Sequence, residues 1–272
     1  MHADLADELL NAYATRRLLP TPPSARDGGL DLPTAYAVEA EIAGRRRAAG
    51  HRPVGLKVGF ANKAAWRVLK LETLVWAHMY DDTVRHAIDN HDELTVAPLV
   101  APKIEPEIVF CLKAPLPVGA ADAGAVLEAV DWIALGFEII DCVFPDWKFQ
   151  PTDFVASKGL HAALVVGVPL PVTDANRATL AAALATFAVR LEKNGVLAAE
   201  GSGRNALRSP ALCLAELGSA IARAAGPQGP LQAGDLISSG TLTESQPIAA
   251  GETWMARVDG LDLAPLTLRT TT

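Results

Sequence analysis

Apolar positions recur at helical spacing along the first fifty residues. Leu5, Leu9, Leu10 and Tyr13 predict a first helix, which Leu19-Pro20-Thr21-Pro22-Pro23 stops because proline breaks the backbone ladder. A second helix is predicted from Pro33, with Tyr36, Ala37, Ala40 and Ile42 on its apolar positions. It ends in the basic run Arg45–Arg47, where cations oppose the helix dipole. From Val54 the texture changes to short apolar runs punctuated by glycine and proline. These predict strands over Val54–Val58, Leu94–Val100, Ile104–Leu112, Trp132–Ile140, Ala162–Val168, Ala188–Lys193, Leu236–Ser239 and Trp254–Val258. Helices are expected at Ala120–Val130, Pro210–Ala225 and the alanine-rich Arg177–Thr186. Asn194-Gly195, between Leu191 and Val196, signals a hairpin with a type I′ turn. The pattern divides into an N-terminal helical segment, residues 1–50, and a β-rich part, residues 51–272, of mixed or mainly antiparallel architecture.

The strand predicted at Ile104–Leu112 carries an anomaly. Glu105 and Glu107 stand one residue apart, so their side chains leave a strand on the same face. If that face is interior, two anions need a partner. A hard cation such as Mg2+ or Mn2+, which prefers carboxylate oxygens and water, supplies one. The alternative is a solvated edge strand with two exposed acids. Glu138, a lone charge among Leu135, Phe137, Ile139 and Ile140 in the next apolar run, weighs against that alternative and offers a third ligand.

Composition narrows the function. The 272 residues suffice for one large domain, or for a domain with a smaller appendage, and half of them are hydrophobic. A net charge of −7 speaks against a nucleic-acid partner. Three scattered cysteines, Cys111, Cys142 and Cys213, form no C-x-x-C pair, which argues against disulfide or zinc frameworks. The first residues have neither a basic nor an apolar signal region, and no apolar run reaches about 20 residues. A soluble cytoplasmic protein without a membrane partner is expected.

Other residues have open readings. Lys57, in Val-Gly-Leu-Lys-Val-Gly-Phe, is either an outward edge residue or an inward functional cation, with Gly55 and Gly59 permitting close backbone approach. Ser238-Ser239-Gly240-Thr241 follows a strand and can offer N–H and O–H donors to a substrate carboxylate, although such loops are mostly ordinary turns. Gly201-Ser202-Gly203-Arg204 lacks the lysine and spacing of a phosphate-binding loop and reads as a flexible or substrate-side loop. His161 is a satisfied near-core histidine or a catalytic one. Asp141 and Asp146 read as a supporting acid and a helix cap. The aromatics of Phe144–Gln150 either pack in the core or an interface, or close over a site.

In order along the chain, Gly55-Leu-Lys-Val-Gly59, Pro102-Lys-Ile-Glu105-Pro-Glu107, Glu138, Asp153 and Gly234-Asp-Leu-Ile-Ser-Ser-Gly-Thr241 resemble the fumarylacetoacetate hydrolase superfamily. Within it the chain is most similar to the 2-keto-4-pentenoate hydratase and 4-oxalocrotonate decarboxylase branch. That resemblance implies an α+β fold with a β-rich rolled mixed sheet behind an N-terminal helical segment, and homo-oligomers built from dimers. It implies Mg2+ or Mn2+ on Glu105, Glu107 and Glu138, and a 2-oxo or 2-enol acid as substrate. It further implies Lys57 as cation or proton relay and Ser239, Gly240 and Thr241 as holders of the substrate carboxylate, while Lys158 and His161 are catalytic candidates from this chain's own residues. The activity implied is a hydratase adding water to a 2-hydroxy-2,4-dienoate in catabolism of aromatic-ring cleavage products.

Two departures leave alternatives open. Val75 stands where hydratases of this branch carry an acid, and Ala156-Ser-Lys158-Gly-Leu replaces their Ala-Asp-Asn-Ala-Ser. Lys158 is either a surface residue or a partner for a second substrate carboxylate. The alternatives are a 4-oxalocrotonate-type decarboxylase, an acylpyruvate or fumarylacetoacetate-type C–C hydrolase, and a non-catalytic metal-binding paralogue.

Overall fold

The computed structural model describes residues 2–116, 119, 122–224 and 231–272. The chain opens with two helices, α1 (His2–Ala14) and α2 (Leu32–Ala48). Asp31 caps the second by accepting from the Thr34 N–H at 2.9 Å. Ala6, Leu9 and Ala12 of α1 and Ala35, Val38 and Ile42 of α2 enter the same core as the strands. Next come β1 (Pro53–Gly59), α3 (Lys63–Leu69), β2 (Val75–Tyr80), β3 (Val84–His86), β4 (His91–Thr95) and β5 (Pro102–Leu112). They are followed by α4 (Ala123–Leu127), β6 (Val130–Asp141), α5 (Pro151–Ala156), β7 (His161–Val166), β8 (Leu170–Pro171) and α6 (Arg177–Ala183). The chain closes with β9 (Ala188–Lys193), β10 (Val196–Ser202), α7 (Pro210–Ala224), β11 (Leu236–Ser238), β12 (Gln246–Pro247), β13 (Thr253–Asp259) and β14 (Leu266–Thr271). Among the described residues no helix is long and apolar enough to cross a membrane.

The strands form two mixed sheets, one of nine strands ordered β2-β1-β11-β5-β6-β7-β3 with β12 on β5 and β8 on β6, and one of five ordered β10-β9-β13-β14-β4. Pairing is antiparallel except for β1 with β11, β3 with β7 and β14 with β4. The α+β, β-rich mixed architecture expected from the sequence is the one observed. The hairpin is also as expected: Asn194 and Gly195 take φ of 51° and 78°, the left-handed pair that a type I′ turn requires.

The departures have local causes. Only the start of Leu94–Val100 is strand, because Pro98 lacks a ladder donor and the N–H groups of Val100 and Ala101 instead bond Asp141. The expected Ala120–Val130 helix is reduced to Ala123–Leu127, capped by Asp122, with residues 120 and 121 outside the described residues. Ala225 lies outside them too. The strand β2 escaped prediction because all six of its residues are buried, so no alternation marks it. α5 is one short turn-rich helix held by a capping box between Gln150 and Asp153.

Candidate metal centre and cavity

Five adjacent strands bring the chemistry together: β1, β11, β5, β6 and β7. Glu105 of β5 lies opposite Glu138 of β6, with Glu107 opposite Gly136. On the far side of β5, β11 places Ser238 beside Lys57 of β1. On the far side of β6, a bulge between Ile139 and Ile140 turns His161 of β7 toward the acids. One ligand oxygen from each of Glu105, Glu107 and Glu138 lies within 4.8 Å of the others. Glu107 and Glu138 are fully buried and Glu105 half-buried. The solvated-edge alternative fails, since β5 has neighbours on both sides.

Each acid is held differently. Glu107 Oε2 accepts from the Ser238 hydroxyl at 2.5 Å and the Gly240 N–H at 2.8 Å, while its buried Oε1 has no hydrogen-bond partner among the described residues. Glu138 Oε1 faces His161 Nδ1 at 3.1 Å, and among the described residues its Oε2 meets only the Lys57 ammonium, at 3.0 Å and without an aligned hydrogen bond. His161 is steadied at Nε2 by Thr83 Oγ1, 3.0 Å away. Lys57, 2% exposed, donates to the Gly159 carbonyl at 3.0 Å and packs over the Phe154 ring at 4.7 Å. Glycines leave the room it occupies: a Cβ at Gly59 would lie 2.3 Å from the Phe154 ring, and one at Gly159 would lie 2.7 Å from Lys57 Cδ.

Two fully buried carboxylates and a half-buried third face one ammonium, so the cluster carries an excess of negative charge. Burial, reinforced by Glu138 and Glu105, pushes the Glu107 carboxyl well above the ordinary range. Burial likewise raises Glu105 to about 7 despite Lys57. Glu138 goes the other way: Lys57 and His161 outweigh its own burial and hold it below the usual value. Buried oxygens without partners, all-carboxylate donors and excess negative charge fit a hard divalent cation.

These shifts predict the pH response of protein stripped of divalent ions. A carboxyl that binds its proton more tightly when folded stabilises fully below the unfolded pKa, and this contribution is lost as pH rises through the folded pKa. For Glu105 that window runs from about 4.5 to about 7, and Glu107 acts in the same direction. The lowered Glu138 acts only on acidification below its ordinary value of 4.5. His161, held by burial below its ordinary 6.5, gains stability over the same range, so raising pH from 5 to 8 in chelator should lower Tm by about 2–4 °C, the loss at Glu105 and Glu107 exceeding that single gain. Excess Mg2+ should flatten the profile. A Tm that holds or climbs over that range in chelator would contradict the charge assignment.

Of the three acids, Glu105 lines a cavity of ≈ 610 Å3, with Glu107 and Glu138 buried behind it. Lys57, Glu105, Gly240 and Thr241 line it together with an aromatic wall of Phe60, Trp147, Phe149 and Phe154, and with Arg204 and Asn205. The Thr241 hydroxyl donates to the Thr243 carbonyl at 2.9 Å.

Three of the sequence-selected side chains lie off this wall. The Ser239 hydroxyl donates to the Ile108 carbonyl at 2.8 Å, so Ser238, not Ser239, supplies the hydroxyl at the acids. His161 acts on Glu138 and is buried behind it. Lys158 is turned away by the left-handed run Lys158-Gly159-Leu160, with φ of 50°, 65° and 56°. Its ammonium donates to the His161 carbonyl at 2.5 Å and sits 4.6 Å from the centre of the Tyr13 ring. Burial lowers its pKa to about 8.

Asp141 anchors the backbone of Val100 and Ala101. Asp146 is an exposed partner of Lys148, not a helix cap. Asp153 joins α5 to the N-terminal segment by accepting from Ser24 N–H and Oγ. Val75 is buried in β2 opposite Gly59. The sequence left open whether the aromatics of Phe144–Gln150 close over a site and whether the Gly201–Arg204 loop lies on the substrate side; Trp147, Phe149 and Arg204 line the cavity. Clustered aromatics around Phe149 and the Gly-x-Gly before Arg204 were the signals that pointed there.

This fold and its carboxylate cluster define a class, and comparison with known proteins identifies it. Residues 70–267 match the family model described as fumarylacetoacetate hydrolase C-terminal. The chain belongs to the fumarylacetoacetate hydrolase family. It is 33% identical over 227 residues to a 4-oxalocrotonate decarboxylase of Pseudomonas sp. (strain CF600), covering 84% of this chain and 81% of that one. It is 31% identical over 228 residues to a 2-hydroxyhexa-2,4-dienoate hydratase of Comamonas testosteroni, covering 84% and 82%. A solved 4-oxalocrotonate decarboxylase from Pseudomonas putida G7, complexed with magnesium and adipate, superposes with a TM-score of 0.85 at 27% identity, covering 99% of this chain and 97% of that one.

Proposed function

We propose that this protein is a divalent-metal-dependent lyase of the 2-keto-4-pentenoate hydratase type, adding water to a 2-hydroxy-2,4-dienoate. The observation that carries this reading is the three-carboxylate cluster, with its partnerless buried oxygens, whose Glu105 lines a cavity together with Lys57. Hydratase relatives and the magnesium-bound decarboxylase support it. Glu105, Glu107 and Glu138 would hold Mg2+ or Mn2+. When bound, the cation supplies Lewis-acid stabilisation of the charge that develops on a 2-oxo acid as it enolises.

The chain's own residues do the remainder. Ser238 and Gly240 fix one oxygen of Glu107, which aims the other at the centre. His161 and Thr83 orient Glu138 in the same way. The Lys57 ammonium has three N–H bonds. One is donated to the Gly159 carbonyl and Glu138 lies 3.0 Å away as an ion pair, so the ammonium, which lines the cavity, can hold or pass a proton to carbon or oxygen of the enol. The aromatic wall packs on the conjugated tail and excludes bulk water from it. The backbone at Gly240 and Thr241 borders the cavity where the substrate carboxylate would lie. Residues 1–50 would serve as a buttress to a catalytic part formed by 51–272, through Ser24 on Asp153. Cytoplasmic homo-oligomers built from dimers complete the proposal.

A second reading is decarboxylation of a 4-oxalocrotonate-type substrate, favoured by Val75 in place of an acid and by the 33% identical relative. Ultraviolet-monitored consumption of a 2-hydroxy-2,4-dienoate, with Mg2+ or chelator and the product identified by mass, decides between them. Metal-dependent gain of one water is expected. No turnover of the dienoate alongside loss of carbon dioxide from 2-oxo-hex-enedioate would replace hydration by decarboxylation. Inertness to both would overturn the lyase reading.

A further inference from the structure

The ≈ 610 Å3 cavity runs from Lys57 and Glu105 out to Arg204, where a second depression of ≈ 360 Å3 adjoins it. Arg204 and Asn205 belong to both, and the outer depression adds Lys63 and Arg208. In a chain of net charge −7 this is a local concentration of positive charge. No carboxylate among the described residues pairs with Arg204, Arg208 or Lys63, whose ammonium has only the Trp66 ring at 5.9 Å. The nearby acids do not neutralise them: Glu216 is engaged by Thr73 and Arg223, and Glu244 is exposed and forms no ion pair with Arg204.

The loop that presents Arg204 is fixed. A Cβ at Gly201 would lie 1.8 Å from the Leu242 carbonyl oxygen, and one at Gly203 would lie 2.0 Å from that of Leu184. The Asn205 side-chain amide donates to Leu242 O at 2.7 Å and the Leu207 N–H to Ala61 O at 2.9 Å. Leu207 and Arg208 hold φ of 48° and 73°, a left-handed conformation costly for side chains of their size. An exposed guanidinium on this fixed loop at the cavity wall, without an ion-pair partner among the described residues, is suited to a carboxylate, which it can bind through two parallel N–H bonds.

We propose that Arg204 is the residue that selects substrates bearing a second carboxylate, so that the substrate is a 2-oxo or 2-enol dicarboxylate. Its 2-oxo end lies at the Glu105, Glu107 and Glu138 cluster and its far carboxylate at Arg204, while Arg208 and Lys63 draw the dianion to the mouth. The inference rests on the 2-oxo-acid reading of the site given above.

The test is isothermal titration of the Mg2+-loaded protein with 2-oxoadipate and 2-oxohexanoate, which differ only in carrying a carboxylate or a methyl at the far carbon. The wild type should bind 2-oxoadipate about tenfold more tightly, with the preference shrinking from about 50 mM to about 500 mM NaCl. In Arg204→Gln the two affinities should come within about threefold of each other. Equal affinities in the wild type, or a preference undiminished in Arg204→Gln, would overturn the proposal. If 2-oxohexanoate also fails to bind while Mg2+ does, the 2-oxo-acid reading falls and takes this inference with it. That failure is recognisable, since the monoacid does not depend on Arg204.

Discussion

Glu107→Gln should abolish divalent-metal binding and cut turnover by about 10^3-fold or more, without unfolding the protein. The amide oxygen can keep both donors, the Ser238 hydroxyl and the Gly240 N–H, so the local backbone has no reason to move. The other oxygen, now lost, is the buried one without a partner. An amide NH2 in its place presents hydrogens to the cation position and repels it. The loss in rate follows from removing preorganised electrostatic stabilisation, for which even one donor is worth about 10^2–10^3. Stability should move the opposite way. A carboxyl driven well above its ordinary range by burial and by two acidic neighbours is a destabilising group at neutral pH. The metal-free variant should thus melt about 2–5 °C above metal-free wild type. Mg2+, which raises the wild-type Tm by binding only the folded state, should leave the variant's Tm unchanged. A variant that still gains Tm with Mg2+ removes Glu107 from the ligand set.

Lys57→Met is the companion experiment and the more damaging to stability. The methionine fills much of the same volume between Gly159 and the Phe154 ring, but Glu138 loses the ammonium that faces its Oε2. Breaking one side of a buried ion pair costs about 3–5 kcal/mol, or about 10 °C in Tm for a chain of this size. A divalent cation can replace the lost positive charge. The deficit should therefore be large in chelator and shrink in excess Mg2+. Turnover should fall by about 10^2–10^4 even with metal bound, the range for loss of a positioned proton donor. Equal Tm deficits with and without Mg2+ would mean that Lys57 stabilises by packing alone. Turnover retained would exclude it from proton transfer.

Much of this site was legible because it is written in the strand period. Glu105 and Glu107 share a face by spacing alone, and Glu138 stands out because everything around it in β6 is apolar. The first two helices, β9 and the Asn194-Gly195 turn were legible for similarly local reasons. What escaped depended on contacts distant in sequence or on backbone geometry. No pattern reveals that Ser238 rather than Ser239 meets Glu107, since that follows from the register of β11 on β5. Lys158 is directed away by a left-handed run in which only Gly159 is a residue that suits such a conformation. Arg204 sits in a Gly-x-Gly loop whose shape is set by the carbonyls of Leu184 and Leu242, from elsewhere in the chain. The fully buried β2 gave no alternation to read.

The glycines around Lys57 bear on how far this pocket can be remodelled. At Gly59 and Gly159 the space of a missing side chain is already taken, by the Phe154 ring and by the lysine's own methylenes. The reactive end of the cavity is thus packed closely around Lys57 and Phe154, with no room for a side chain at either glycine. The outer end is walled by side chains, Trp147, Phe149 and Arg204 among them, on turns and loops rather than on sheet. A directed library seeking new tails on the same reactive head should leave positions 59 and 159 untouched and spend its diversity on 147, 149 and 204. The head group that the enzyme accepts and the tail that it tolerates are encoded in separable parts of the chain.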